Sequence, residues 1–392
     1  MTVYAFLTLS ARALGPQRYA TLSGLWALVY LAGPGVFFPI EQEVSRAVAT
    51  RTAAGLGIGP VVRRAGTIAA GLATVLALLA LAFRRSLLHR VFDDQELVLA
   101  GFVLSLYGYA ALHLARGLLA GGGRFRPYAV VLGGEGVLRL AAAGAILLLG
   151  VRTAGPLGIV VGLSPFAAVL VATARQRNVL TPGPQAPWRE LFSSLGFLLM
   201  GSLLAQVLIH AGPLAVRLLA DDRPKELTAQ FFAGVLLTRI PLFLFFAVQA
   251  PLLPRLAGFA AVEDWTGFAR SLRRLLGVVV AIGAASVVGA FLAGRQVIEI
   301  LFGAAFVLDA RGVTLLAGSS ALIMAAQVLG QSVVALEGQA AAAVCWAFGA
   351  VSFVAVTALG NDPLLRVELG LVAGAAAAAA FMSVALFSRW PR

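Results

Sequence analysis

The chain has 392 residues, of which 60% are hydrophobic and only 12% charged, with a formal net charge of +13 and a mean hydropathy of +0.93. A soluble domain of this length is about a quarter charged, so the chain lacks the polar surface to be one. Apolar runs of roughly 20 residues recur from end to end, each able to cross a hydrocarbon core about 30 Å thick, and no alternating segments of about ten residues mark a β-barrel.

The expected class is therefore an all-α polytopic membrane protein. Lys225 is the only lysine, so arginine supplies almost all of the positive charge. Enrichment of cytoplasmic loops in Lys and Arg accounts for that charge, and no nucleic-acid partner is expected. The single cysteine, Cys345, excludes an internal disulfide and a Cys-based metal site. No cofactor or metal is expected.

In chain order, the apolar runs and their punctuation place twelve spans near 2–14, 19–44, 64–83, 97–118, 127–150, 154–174, 191–216, 227–253, 274–294, 308–335, 339–359 and 367–388. The opening MTVYAFLTLSARALG has no basic n-region and too short an apolar core for a signal peptide; it reads as a first membrane helix that begins abruptly. Arg46, Arg51, Arg63 and Arg64, then Arg116, Arg124 and Arg126, then Arg175, Arg177 and Arg189 fall in alternate loops, and Arg255, Arg270, Arg273 and Arg274 in a fourth. The other loops hold fewer, balanced by acids, as in RVFDDQE (90–96) and ADDRPKE (220–226). Both termini are expected on the cytoplasmic side.

RQRNVLTPGPQAPWR (175–189) is the longest polar, proline-rich connection. It divides the chain into an N-lobe (1–176, spans 1–6), a cytoplasmic linker (177–189) and a C-lobe (190–392, spans 7–12). Across that divide SLLHRVF (86–92) matches QVIEILF (296–302), FFPIEQEVSRAVA (37–49) matches FAVQAPLLPRLAG (246–258), and LAGGGRFRPYA (119–129) matches LEGQAAAAVCW (336–346). Their common order points to a duplicated six-helix unit. Because six is even, the two lobes would be related by a pseudo-two-fold along the membrane normal.

Charges inside the membrane carry the functional reading, because an arginine at mid-bilayer costs about 2.5–3.5 kcal/mol on insertion scales. Between Glu226 and Arg255 the only charged residue is Arg239, and Pro241, Pro251 and Pro254 interrupt the same span. Three readings compete for Arg239: it faces a wet cavity, it pairs with a distant acid such as Glu41 or Glu135, or it snorkels. Arg12 and Arg46 end the first two spans, as cavity groups or as interfacial anchors. Guanidinium binds phosphate bidentately and stays charged in any environment, so the three arginines are the candidate phosphate ligands. Glu41 and Glu43 are candidate coupling acids or counter-ions of Arg46; Gln249, Gln327 and Gln331 are candidate polar cavity groups or interhelical bonds. Glu135 and Arg139, four residues apart, are expected to neutralise each other. His113 and His210 are proton relays or packed histidines, and the glycines at 121–123 form a tight turn, lacking the Lys-Ser/Thr of a phosphate loop.

SARALGPQRYATLSGLWALVYLAGPGVFFPIEQEVSRAVA (10–49), ARGLLAGGGRFRPYAVVLGGEGVLRLAAA (115–143), FFAGVLLTRIPLFLFFAVQAPLLPRLA (231–257) and EILFGAAFVLDARGVTLLA (299–317) together resemble the polysaccharide-type flippases of the multidrug/oligosaccharidyl-lipid/polysaccharide exporter superfamily. The likeness covers nearly the whole chain through dispersed patterns. It implies two six-helix lobes and alternating access that carries a polyprenyl-(pyro)phosphate-linked oligosaccharide across a bacterial cytoplasmic membrane for surface polysaccharide synthesis. The implied partners are that lipid-linked oligosaccharide and membrane lipids, with the chain acting as a monomer. The alternatives are a cation-coupled multidrug exporter of the same superfamily, which would want carboxylates in its cavity, and a membrane enzyme acting on lipid-linked glycans. No loop is large enough for a catalytic domain, and an enzyme is not expected.

Overall fold

The computed structural model describes residues 2–174, 176, 180–185, 195–220, 225–249, 256, 258–260 and 262–390. Fourteen α-helices are described, without a strand among the described residues. Contacts divide the chain into two compact units, 1–203 and 204–392.

In the first unit, α1 (Thr2–Ala32) is broken at Gly15, whose φ of 70° and ψ of 167° are not helical. A residue with a Cβ is strained there, and Pro16, which follows, is at ease at a helix start. The chain then runs through a π-helical turn (Gly33–Phe37) into α2 (Phe38–Ala53). Pro34 offers no N–H to the helical ladder, and a widened turn is one way a helix absorbs that loss. The Pro34 carbonyl accepts from Phe38 N–H and from the Ser202 hydroxyl at 3.2 Å.

Next come α3 (Gly59–Ala82), the short α4 (Arg84–Arg90), α5 (Glu96–Gly121), α6 (Phe125–Leu148) and α7 (Ala154–Thr173). On α3 the buried residues Val61, Ala65, Ala69, Ala73, Ala77 and Ala80 recur at nearly every turn, while Val75, Leu78, Leu79 and Leu81 are exposed. That is a packing stripe of small residues with a greasy outer face, as membrane helices require. The helices α5 and α7 approach backbone to backbone: a Cβ on Gly101 would stand 2.4 Å from the Gly158 carbonyl, and one on Gly108 2.9 Å from the Gly162 oxygen. The glycines at 121–123 close α5, with Gly123 at φ 66°, as the turn reading expected. The α2–α3 loop is held by a strand of coil further on: Arg51 Nη1 donates to the Gly57 and Pro184 carbonyls, each at 3.0 Å, and Gly59 N–H to the Thr181 oxygen at 2.8 Å. Most of the expected linker, 177–179 and 186–189, lies outside the described residues.

In the second unit, α8 (Leu195–Leu219), which spans the unit boundary, leads to α9 (Glu226–Thr238) and α10 (Ile240–Gln249). They are followed by α11 (Trp265–Phe302), a 3₁₀ turn (Ala304–Phe306), α12 (Ala310–Ala335), α13 (Gln339–Thr357) and α14 (Pro363–Arg389). Asp264, Asp309 and Asp362 cap α11, α12 and α14, their side chains accepting from the N–H of Gly267, Gly312 and Leu364. Such caps satisfy donors that the first helical turn leaves open. Along α11 one narrow face is buried, with Gly283 against Ala321 and Gly294 against Val313 of α12, while Val280, Val288, Phe291, Leu292 and Ile300 are exposed. Gly349 of α13 and Gly374 of α14 meet each other's backbone in the same way.

Among the described residues ten segments are long and apolar enough to cross a membrane, and the protein is a multi-pass membrane protein. The difference from twelve has two causes. The first two expected spans run on as one helical stretch, 2–53, in spite of the break at Gly15. The eighth is cut by Arg239 and Pro241 into α9 and α10, each too short to cross alone. The ninth is longer than expected: Arg270, Arg273 and Arg274 lie within α11 and not in a loop.

The α5–α7 contact yields a direct test. Gly101→Leu forces two backbones apart and should destabilise the protein by about 1–3 kcal/mol or more, read as a lower unfolding temperature in detergent; Gly71→Leu, where no atom lies within 4 Å of the added Cβ, should leave it near the wild-type value.

Candidate functional site

The first unit buries charge in two clusters. The helix α2 rests on two glycines of α5: a Cβ on Gly117 would stand 2.6 Å from the Glu41 carbonyl oxygen, and one on Gly121 2.4 Å from that of Ser45. This close approach carries the Glu41 carboxylate to α5. There Oε2 lies 2.7 Å from His113 Nδ1 and Oε1 3.0 Å from Arg116 Nη2. Arg116 in turn donates to the Tyr128 hydroxyl at 3.2 Å and lies over its ring at 5.5 Å. Glu41, His113, Arg116 and Tyr128 therefore form one chain of polar contacts from α2 through α5 to α6. Two residues along α2, Glu43 is buried and takes the exposed Arg46 at 2.6 Å. Of the two acids considered as counter-ions of Arg46, Glu43 fills that role and Glu41 serves α5.

The second cluster surrounds Arg139, which is 0% exposed. Its Nη1 pairs with Glu135, the partner expected from their spacing. The guanidinium lies 5.4 Å from the Phe6 ring centroid and 5.0 Å from that of Trp26, and its Nε and Nη2 make no hydrogen bond. Those N–H groups instead share a site with π faces, an attraction that grows when water is excluded. Glu135 also accepts from the Tyr109 hydroxyl at 3.3 Å and Ser164 at 3.4 Å. Four elements, α1, α5, α6 and α7, thus converge on one ion pair.

In the second unit Arg239 stands at the junction of α9 and α10, where Pro241 cannot supply the N–H that would continue the helix. It is 2% exposed. Its Nη1 donates to Ser320 Oγ of α12 at 3.1 Å and its Nη2 to the Leu208 carbonyl of α8 at 3.1 Å. It therefore ties three helices at a break in one of them. The two distant acids considered as its partners are engaged inside the first unit, Glu41 by His113 and Arg116, and Glu135 by Arg139.

The remaining candidates are dispersed. Arg12 is exposed on the first segment of α1; Gln327 and Gln331 lie half-buried one turn apart on α12; Gln249 ends α10, with its side chain outside the described residues. Pro251, Pro254 and Arg255 also lie outside them. Sequence reasoning missed Arg116, counted among the loop arginines, Tyr128, at the start of an expected span, and Ser320, whose hydroxyl is unremarkable without its neighbour. It also passed over Glu368, which falls at the start of the span expected at 367–388. The helix begins at Pro363 and Glu368 is completely buried. Its signal was present: an acid followed by some twenty apolar residues deserved counting as intramembrane.

With this geometry in place, relatives can be compared. No family model matches the chain. Two proteins of Mycobacterium tuberculosis, "Uncharacterized protein Rv1510" of strain ATCC 25618 / H37Rv and "Uncharacterized protein MT1558/MT1560" of strain CDC 1551 / Oshkosh, are each 27% identical over 311 residues, spanning 77% of this chain and 68% of theirs. Among solved structures, the inward-facing conformation of a multidrug resistance MATE family transporter of the MOP superfamily superposes with a TM-score of 0.78 at 15% identity, covering 99% of this chain and 93% of that one.

The fold is that of the MATE transporters. The outward-facing conformation of a multidrug resistance MATE family transporter gives 0.69 at 15% identity, over 99% and 91% of the two chains. The Vibrio cholerae MATE transporter VcmN in its bent form gives 0.64 at 15% identity, over 98% of each. The MATE-like fold covers both units.

The ion pair at Arg139 is the most exacting of these contacts. Glu135→Gln leaves a buried guanidinium uncompensated and should cost about 3–5 kcal/mol of stability. The double variant Glu135→Leu with Arg139→Met, which removes both charges at similar volume, should recover most of the loss in a thermal unfolding series.

Proposed function

We propose that the chain is a transporter, not an enzyme, and that it moves a polyprenyl-(pyro)phosphate-linked oligosaccharide across the bacterial cytoplasmic membrane by alternating access, in the service of surface polysaccharide synthesis. Its substrate ligands are Arg239, Arg46 and Arg12, which hold the phosphates; Glu41, Glu43, Gln249, Gln327 and Gln331 provide coupling or polar cavity groups. It acts as a monomer with both termini cytoplasmic.

The observation that carries this reading is the position of Arg239 in a MATE-like fold. A guanidinium is buried at a helix break and held by a hydroxyl and a backbone carbonyl, both of which a phosphate could replace as acceptors. Such a charge-assisted bond is stronger than either neutral one. Pro241 removes one hydrogen bond from the ladder at this junction, while Arg239 N–H to the Val235 carbonyl and Phe243 N–H to the Arg239 carbonyl, each at 3.0 Å, still span it, so a bend of the span at Arg239 meets less resistance there than elsewhere.

A second reading, a cation-coupled drug exporter, is favoured by the solved structures of this fold, whose descriptions include multidrug resistance transporters. Cationic cargo would be bound by carboxylates, and in the first unit Glu41, Glu43 and Glu135 are each bound to a basic side chain. That arrangement supports the anionic cargo in the first unit; in the second, the buried Glu368 has no hydrogen-bond partner, which is the feature the exporter reading would use.

Reconstituted vesicles decide the matter. Loss of one charge-assisted contact, worth about 1.5–3 kcal/mol, should slow the flipping of a polyprenyl-pyrophosphate-linked sugar at least roughly tenfold in Arg239→Ala, with Arg239→Lys intermediate because it keeps charge without the planar fork. Unchanged flux in Arg239→Ala would remove this residue from the mechanism, and wild-type vesicles that move a cationic dye but no lipid-linked sugar would favour the exporter.

A further inference from the structure

The helix α11 is longer than a membrane needs. At 1.5 Å per residue its 38 residues reach roughly 57 Å, against a hydrocarbon core about 30 Å thick. Its uncharged run, 275–294, is bounded by Arg274 and Arg295 and covers about 30 Å by itself. The first turns of the helix, from Trp265 to Arg274, therefore continue beyond the hydrocarbon edge. Arg274, Arg273 and Arg270 all fall within about 8 Å of that edge along the axis, in the layer of the phospholipid headgroups.

The three arginines share one face, and it is the face turned to lipid. Val288, Phe291 and Leu292, all exposed, each lie eighteen residues beyond one of them, about five whole turns. The buried Phe268 and Leu272, two residues to either side of Arg270, lie about 200° round the helix from it. All three arginines are exposed. Among the described residues none of them forms an ion pair, and the bond they make is Arg273 Nε to the Ala269 carbonyl at 3.4 Å. Arg46, Arg84, Arg116 and Arg139, by contrast, each have a carboxylate partner. The helix start itself is closed to an anion, because Asp264 already accepts from Gly267 N–H at 2.8 Å.

The end of α14 joins the same surface. Trp390, just past the last turn of α14, packs on Phe268 with ring centroids 5.5 Å apart and on Trp265 at 6.4 Å. Beside it Arg389 is exposed, its Nη1 donating to the Ala385 carbonyl at 3.3 Å. Tryptophan favours the boundary between membrane and water, where its ring is covered by apolar groups and its N–H stays wet. Two half-buried indoles and four exposed guanidinium groups are thus gathered at one end of the second unit.

We infer that the start of α11 and the end of α14 form a binding site for anionic phospholipids of the surrounding leaflet. Arg270, Arg273, Arg274 and Arg389 hold the headgroup phosphates, and the acyl chains lie along the outer stripe of α11, beginning at the exposed Val278 and Val280. Guanidinium meets phosphate through two parallel N–H bonds, and a basic cluster at the membrane edge attracts acidic lipid. The ligand is a bilayer lipid and not cargo, because the arginines stand on the face opposite the one that packs on the protein. The site goes beyond the transporter reading and stands without it.

Trp265 and Trp390 report on the site directly. The purified full-length protein is placed in phosphatidylcholine vesicles, and quenching of its tryptophan fluorescence by brominated phosphatidylglycerol is compared with quenching by brominated phosphatidylcholine. Each basic side chain at such a surface contributes about fivefold, so the wild type should prefer phosphatidylglycerol at least roughly tenfold. Joint replacement Arg270→Gln, Arg273→Gln and Arg274→Gln should remove most of that preference, and lysine at the same three positions should keep most of it. Removing three arginines from α4 instead, by Arg84→Gln, Arg85→Gln and Arg90→Gln, should leave it in place. Equal unfolding temperatures in pure phosphatidylcholine check that the variants fold. Trp265→Phe with Trp390→Phe should abolish the selective quenching, which locates the lipid even where the triple glutamine variant does not fold. Absence of any preference in the wild type, an equal loss in the α4 variant, or selective quenching that persists in full without the two tryptophans overturns the proposal. So does a brominated prenyl pyrophosphate that quenches these tryptophans more strongly than phosphatidylglycerol at equal mole fraction, which assigns the face to cargo.

Discussion

Within a hydrocarbon core there is no water to satisfy a polar group, and most of the architecture follows from that constraint. Backbone donors are met by helices. Side-chain charge has to be met by the protein, and the structure does so by bringing helices so close that an ion pair can be assembled from several of them. Glycine makes the approach possible: Gly117 and Gly121 seat α2 against α5, and Gly101, Gly108, Gly158 and Gly162 do the same for α5 and α7. The cluster at Glu41, His113 and Arg116 and the box around Arg139 exist because of these contacts.

The same constraint sets apart the charges that serve packing from those that remain available for chemistry. Arg139 is surrounded by a carboxylate and two aromatic rings on four elements, an arrangement in which movement would cost more than it returns. Arg239 is held by two neutral acceptors at an interrupted helix. Glu368 is a third case, a buried carboxyl neither of whose oxygens has a hydrogen-bond partner.

Particular residues show where sequence reasoning succeeded and where it stopped. The Glu135–Arg139 pair was legible because four residues is one helical turn, and the turn at 121–123 because three glycines admit little else. Glu41 was singled out as a coupling acid or a counter-ion of Arg46, but its partners were not, since His113 and Arg116 are some seventy residues away and only the seating of Gly117 on α2 brings them together. Arg239 was singled out for its isolation in an apolar run, while Ser320 and the Leu208 carbonyl could not be inferred. Glu368 was passed over at the start of an expected span, four residues beyond where the helix begins at Pro363.

Composition and the period of the apolar runs were by themselves enough to establish a multi-pass helical membrane protein with few intramembrane charges, because the need to cover about 30 Å of hydrocarbon is written locally in every run of roughly 20 residues. The dispersed patterns pointed to the superfamily whose fold is found. Tertiary structure alone decided which charges meet between helices, as Glu41 does with His113 and Arg116. An interhelical pair depends on which helix faces share an axis and on where a missing Cβ lets two backbones touch, and neither is a property of any single segment of the chain.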